Sequence, residues 1–373
     1  MVGAEVGEVF ARTRELCRQI GETPHLFQAL AGLWAYYDVR GEMGPTLELA
    51  KQLLSIAQSA EDVALLPAAH HAMGQTLFWM GQFVPAQTHL ELSCSLYDPA
   101  RYPSHAVPYF GCDIAVQSLV FSEASSWTLG FPDQARDRVE RALSLARQLS
   151  HPFSLCNALF FSSRADHRRG ETIAVSKFAD AMFHLAHEQG FRGFSAMAIA
   201  QRGVVLIAGA QAEEGITQLR EGIDSEGAFE VMRTQYLAYL AVGYGLVGRV
   251  EEGFAALAEA MALVESTGVC LYESELNRLK GELTLKRPEA DSNSKVQEEA
   301  ETYFRQAIEI ARRQCAKSLE LRATMSLARL LAKQGRRDEA RAMLAEIYGW
   351  FTEGFDTADL KDAKALLDEL SVV

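Results

Sequence analysis

The sequence lacks most of the features that mark an enzyme, a membrane protein or a nucleic-acid binder. Its 373 residues include only 10 prolines and 6 cysteines. Cys17, Cys94, Cys112, Cys156, Cys270 and Cys315 lie far apart with no CxxC pair. That excludes the common zinc and dithiol motifs and leaves them as small buried hydrophobes. No apolar run approaches the roughly 18 residues of a spanning helix. The opening MVGAEVGEVFARTREL has neither the basic n-region nor the apolar core of a signal peptide, so a cytoplasmic protein is expected. Positive charge is scarce. A net charge of -13 disfavours nucleic acid and anionic membranes as partners, because neutralising phosphates takes a surplus of Lys and Arg. There is no GxxxxGK[ST] loop and no GxSxG elbow, so neither nucleotide hydrolysis nor a serine nucleophile is expected. His184 and His187 share a helix face but have no third ligand, and the adjacent His70 and His71 point different ways. No metal, cofactor or catalytic residue is expected.

What the chain does contain is apolar material in helical rhythm, with 49% hydrophobic residues against 23% charged. The segments LFWMGQFVPAQTHLELS, SWTLGFPDQARDRVERA, RADHRRGETIAVSKFAD, YGLVGRVEEGFAALAEA and RLLAKQGRRDEARAMLAEI share one layout: an apolar-periodic run, a turn, then a second run. Turns are predicted at Gly41, Gly81, Gly130, Gly170, Ala210, Gly248, Pro288 and Gly335, giving about eight helical hairpins with periods of about 38 to 49 residues. Small residues recur about seven positions before the turn (Gly74, Gly203, Ala241, Gly281, Ala328) and about five after it (Ala86, Ala135, Gly215, Gly253, Ala340). The two helices of a pair touch most closely there, and Leu90, Val139, Leu219, Leu257 and Leu344 follow to fill the space between pairs.

One hairpin cannot bury its own apolar face, so the hairpins must stack into a single extended array. The expectation is an all-α, right-handed superhelical solenoid of tetratricopeptide-like hairpins over 24–350. Capping helices are expected within 1–23 (about 3 to 20) and 351–373 (about 357 to 370). The polar stretch RPEADSNSKV is read as a loop inside the seventh hairpin.

The runs LFQALAGLWAYYDVRGEM, HHAMGQTLFWMGQF, LGFPDQARDRVERALSLARQLSHPFSL, YESELNRLKGEL and IYGWFTEGFDTADLKDAKALLDELS carry a further resemblance. They resemble the tetratricopeptide C-terminal region of large bacterial proteins, predicted ATPases or class III adenylate/guanylate cyclases. In those proteins a cyclase or kinase-like module precedes a signal-transduction ATPase, and the repeats follow as the sensory or scaffolding part. A related architecture, the maltotriose-responsive transcription activator, binds its inducer with such repeats. The resemblance implies a sensor or interaction array and transfers no catalytic residue.

In this repeat class the first helix of each pair lines the concave groove, roughly three, six, ten and thirteen positions before the turn. That offset selects His71, Gln75 and Phe78, then Gln117 and Trp127, then Asn157, Phe160, Arg164 and His167. Repeats five and six contribute small or apolar residues such as Met197, Val204, Ala238 and Val242. Repeats seven and eight contribute Glu275, Arg278, Glu282, Arg322 and Arg329. Placed polar groups with aromatic faces suit a peptide or a small ligand. Glu123 departs from the pattern by occupying a small-residue contact position within SEASSW. A buried carboxylate needs a partner, a shifted pKa or solvent, and Arg164 one hairpin on is the expected partner. The alternatives are a locally splayed hairpin or a functional pocket. Asp113 is read as a helix cap.

Two functions fit these residues. One is a non-catalytic protein-interaction scaffold that takes a partner peptide in the groove and offers its convex side for self-association as a homo-oligomer. The other is a small-molecule sensor with its ligand in repeats two to four, regulating an attached ATPase or cyclase.

Overall fold

The computed structural model describes residues 23–60, 65–98, 111–288 and 293–371, together with 12 and 290. Among them are seventeen α-helices and no strand. The opening helix expected near 3–20 lies outside the described residues.

The helices form eight hairpins. They are α1 Thr23–Val39 with α2 Met43–Ser59, α3 Leu65–Trp79 with α4 Phe83–Leu96, α5 Ile114–Leu129 with α6 Pro132–Leu149, and α7 Pro152–Arg169 with α8 Thr172–Gln189. Then come α9 Arg192–Ala208 with α10 Ala212–Asp224, α11 Arg233–Leu246 with α12 Val250–Thr267, α13 Glu273–Thr284 with α14 Ser294–Arg313, and α15 Lys317–Lys333 with α16 Arg337–Tyr348. A last helix, α17, spans Ala358–Ser371. Every turn expected from the sequence falls between the two helices of a pair. Ala210 makes its turn at φ 65°, in the left-handed region where glycine usually stands.

First and second helices differ because their surroundings differ. Helices such as α3 and α5 are buried along almost their whole length, since each packs on its own partner and on the first helices before and after it. Second helices bury one stripe; α14 hides Val296, Ala300, Phe304, Ala307, Ile308 and Ala311 and exposes its charged side. Small residues let the pairs close. A Cβ on Gly203 would stand 2.6 Å from the Leu219 backbone nitrogen, and one on Gly74 would stand 2.7 Å from the Leu90 side chain. The SEASSW segment does not splay: α5 runs unbroken, with Ser126 Oγ donating to the Ser122 carbonyl at 2.7 Å and Ser125 Oγ to the Phe83 carbonyl at 3.1 Å. Asp113 caps α5, accepting from the Val116 amide at 3.0 Å. Of the cysteines, Cys112 and Cys156 are buried and Cys94 and Cys270 half-buried, but Cys315 is exposed. Cys315 occupies the turn between α14 and α15, at φ 57°.

The superhelix is tight enough to meet itself. The turn of the first hairpin abuts the start of the sixth, with Gly41 against the Val231 backbone. The Trp79 carbonyl, ending α3, accepts from the Cys270 and Leu271 amides at 2.9 and 3.2 Å as the seventh hairpin opens. The Trp127 carbonyl accepts from Ser318 Oγ at 2.5 Å, across 191 residues. Beside it, Glu353 Oε1 accepts from the Asp133 and Gln134 amides at 3.0 and 3.1 Å, and the Gly354 amide donates to Asp133 Oδ2 at 3.0 Å. In the fourth hairpin Arg169 pairs with Asp356, and Gly170 lies against Ala358. Each of the first four turn edges therefore meets the chain five hairpins later. The groove of an open solenoid becomes an internal lumen lined by first helices.

Candidate functional site

Two chambers occupy the lumen. The first encloses about 650 Å³ between atoms, part of it open to solvent, and draws its wall from α1, α3, α5, α7, α9 and the segment around Phe229. Its wall is aromatic: Trp34, Trp79, Phe121, Phe160, Phe161, Phe194 and Phe229. Four polar groups interrupt it. Gln75 Nε2 donates to Asp38 Oδ2 at 2.7 Å, and Asn157 Nδ2 donates to Gln117 Oε1 at 2.7 Å. Burial pushes the Asp38 carboxyl up to about 7, against the Gln75 and Trp79 side chains that oppose the rise.

The second chamber, about 530 Å³ between atoms and likewise partly open to solvent, is polar. Phe78, Trp127, Arg164, His167 and Arg168 face Tyr239, Tyr272, Glu275 and Arg322 across the lumen. Trp127 lies between two guanidiniums, Arg168 at 4.9 Å and Arg322 at 5.0 Å from its ring. Arg164 rests over Phe160 and Phe161 at 5.4 and 5.5 Å. Burial, reinforced by Arg322, Arg168 and Arg164, pushes His167 down to about 4 and keeps the imidazole neutral. Burial alone would raise Glu275, but Arg278, at 2.7 Å, and Arg322 hold it below the usual glutamate value. The chambers share a wall, where Phe78 and Phe121 meet edge to face at 5.5 Å.

The groove residues expected from the sequence divide accordingly. Gln75, Gln117, Asn157 and Phe160 line the aromatic chamber, and Phe78, Trp127, Arg164 and His167 line the polar one. His71 is fully buried and sits against Ser118 Oγ at 3.1 Å between Trp34 and Phe121, so it belongs to helix packing. Arg278 faces Glu275, Glu282 and Ser326 behind the chamber wall, and Arg329 is exposed outside it.

Glu123 pairs with Arg168, not with Arg164 as expected. Arg164 turns instead onto the two phenylalanine faces. Burial outweighs Arg168 and Arg164 and raises the Glu123 pKa. Glu123 and Trp127 also border a third hollow, about 740 Å³, between hairpins three and four. Asp38, Trp34 and Trp79 were not selected by the sequence pattern, although the groove offset counted back from Gly41 reaches Asp38. Tyr239, Tyr272 and Phe229 also lie outside the positions the groove offset selects; Phe229 reaches its chamber by packing on Phe194 of the adjoining hairpin.

Among the described residues no group of three or more His, Cys, Asp or Glu is arranged to hold a metal, and no helix is long and apolar enough to cross a membrane. The fold is that of a tetratricopeptide-repeat solenoid. The chain is similar in structure to a Rap protein complexed with Competence and Sporulation Factor, at 14% identity and a TM-score of 0.58, over 83% of this chain and 85% of that one. It also aligns with a signal transduction ATPase carrying a tetratricopeptide repeat sensor, from Pyrococcus horikoshii, at 13% identity and a TM-score of 0.46, over 99% of this chain and 55% of that one. Yeast Tom70 aligns at 10% identity and a TM-score of 0.45, over 98% of this chain and 89% of that one. No family model matches the sequence, and no curated protein does.

Proposed function

We infer that the chain is a non-catalytic binding array that takes a short, extended peptide segment of a partner in its lumen. The observation that carries this reading is the closure of the superhelix, which walls the groove and leaves an aromatic and a cationic chamber side by side. A helix, about 10 Å across with its side chains, is too thick for chambers of this size, whereas an extended segment can place successive side chains in the two chambers. The complex of the Rap protein with Competence and Sporulation Factor supports a ligand-bound role for this architecture. In a signalling protein of the kind the sequence resembles, occupation of the lumen would set the pitch of the array and so inform an attached catalytic module.

The test is a display library of random short peptides panned against the protein and against Met197→Trp, which fills the aromatic chamber. Sequences enriched on the first and lost on the second support the reading. Equal enrichment on both moves peptide binding outside the lumen. The walling of the groove by superhelical closure also favours a second reading, a small-molecule sensor. That reading gains if no peptide is enriched while small amphipathic compounds raise the melting temperature of the unmodified protein and not of Met197→Trp.

A further inference from the structure

The polar chamber holds a charge that the chain itself does not answer. Its guanidiniums are Arg164, Arg168 and Arg322, and its one carboxylate is Glu275. Most of these charges are paired. Arg168 meets Glu123, Arg322 meets Asp359 at 2.7 Å, and Glu275 is held in a fork by Arg278 at 2.7 and 2.9 Å. Arg164 remains. It is 5% exposed, makes no ion pair among the described residues, and its Nη1 has no hydrogen-bond partner there. Glu123 acts on it at longer range but directs its contact to Arg168.

A buried carboxyl such as Asp38 can answer burial by taking up a proton. A guanidinium has no such recourse, since it stays protonated under all ordinary conditions. An uncompensated buried cation is among the costlier things a fold can hold, and a counter-anion relieves that cost. One more donor stands ready in the same lining: Arg168 Nε is buried without a partner among the described residues. The neutral His167 is the next side chain along the same wall.

We propose that the polar chamber is an oxyanion site, in which Arg164 and Arg168 hold a carboxylate or phosphate group of the ligand. Trp127 and Phe78, in the same lining, cover the atoms next to the anionic group. The ligand is thus amphipathic, with one anionic end. This rests on the lumen reading above but not on the ligand being a peptide.

The experiment measures thermal unfolding of the whole chain in inorganic phosphate, acetate and chloride at matched ionic strength. It is repeated with one short apolar peptide carrying a free or an amidated C-terminus. Phosphate or acetate raises the melting temperature above chloride, and Arg164→Leu removes that increment. A preference for the free over the amidated peptide names the terminal carboxylate as the source; a response to phosphate alone names a phosphorylated ligand. No anion-dependent increment in the unmodified protein, or an increment retained in Arg164→Leu, overturns the proposal. Should that variant not fold, NMR titration of His167 in the unmodified protein decides. A bound anion offsets the arginines and raises the proton affinity of His167 roughly tenfold, while an unmoved titration overturns the site. Peptides that bind equally with free and amidated ends, with no anion effect, defeat this proposal and leave the peptide reading standing. An anion effect without any peptide enrichment does the reverse.

Discussion

At the scale of single residues, the chambers are defined by charges that have been removed from water and answered unequally. Asp38 is the clearest case because its carboxyl can titrate. Its pKa is raised from 3.8 to about 7 in the folded chain. A group whose folded pKa exceeds its unfolded value contributes its stability fully below the unfolded pKa, and that contribution is lost as pH rises through the folded pKa. The window therefore runs from about pH 4 to just above pH 7. Asp38→Asn keeps the shape and cannot ionise. It is expected to match the unmodified protein near pH 4 and to exceed it by about 2 to 4 kcal/mol near pH 8, read from urea midpoints. An equal midpoint difference at both pH values would show that Asp38 is hydrated in the folded state. His167 works in the opposite sense: its depressed pKa costs stability as pH falls from its ordinary value toward about 4. Both proteins share that slope, so it cancels in the comparison.

At the scale of helices and turns, much was legible in the sequence. Six glycines ending first helices located their turns, and the lengths of the two oversized gaps placed the turns near Ala210 and Pro288. Even Ala210 was found by its place in the period rather than by its chemistry. The same register drew Gln75, Gln117, Asn157, Phe160, Arg164 and His167 to the chamber walls. It failed at His71, whose ring fills a gap between first helices, because the register marks a side of the helix and not the depth of the side chain. It failed also for Glu123, where a helix-local choice between Arg164 and Arg168 turns on aromatic faces four residues away. What no local pattern could reveal is the stitching, since it depends on small rotations summed over five hairpins. The stitch of Asp133 and Glu353 is reciprocal: each carboxylate accepts from backbone amides of the other segment. Glu353 also sits at the positive end of α6, where a carboxylate is favoured. Asp133→Ala with Glu353→Ala is expected to cost about 1 to 3 kcal/mol. The loss should show as faster amide exchange confined to 350–371 and the start of α6. Uniformly faster exchange along the chain would mean that this stitch has no local character.

At the scale of the whole molecule, closure changes how the array unfolds. An open solenoid is coupled only to its neighbours and can fray from its ends. Here hairpins one to four are each tied to the chain five hairpins on, so fraying at the C-terminal end also strips contacts from the turn edges of hairpins three and four. The four tryptophans report on both ends of these ties, with Trp34, Trp79 and Trp127 in the early hairpins and Trp350 after the eighth. Tryptophan fluorescence and far-ultraviolet circular dichroism are expected to follow one coincident urea transition. Two separated transitions would show that the ties are too weak to couple the halves.

The five-hairpin spacing has one more consequence. Repeat arrays ordinarily lengthen or shorten by duplicating or losing a whole unit, because each unit meets only its neighbours. In this chain, removing a single hairpin that lies between Trp127 and Cys270 would slide the later units out of step with the edges they rest on. Trp79 would lose its partners at Cys270 and Leu271, and Trp127 its partner at Ser318. The number of hairpins in each superhelical turn is thus set by geometry in the way that the number of staves is set in a barrel.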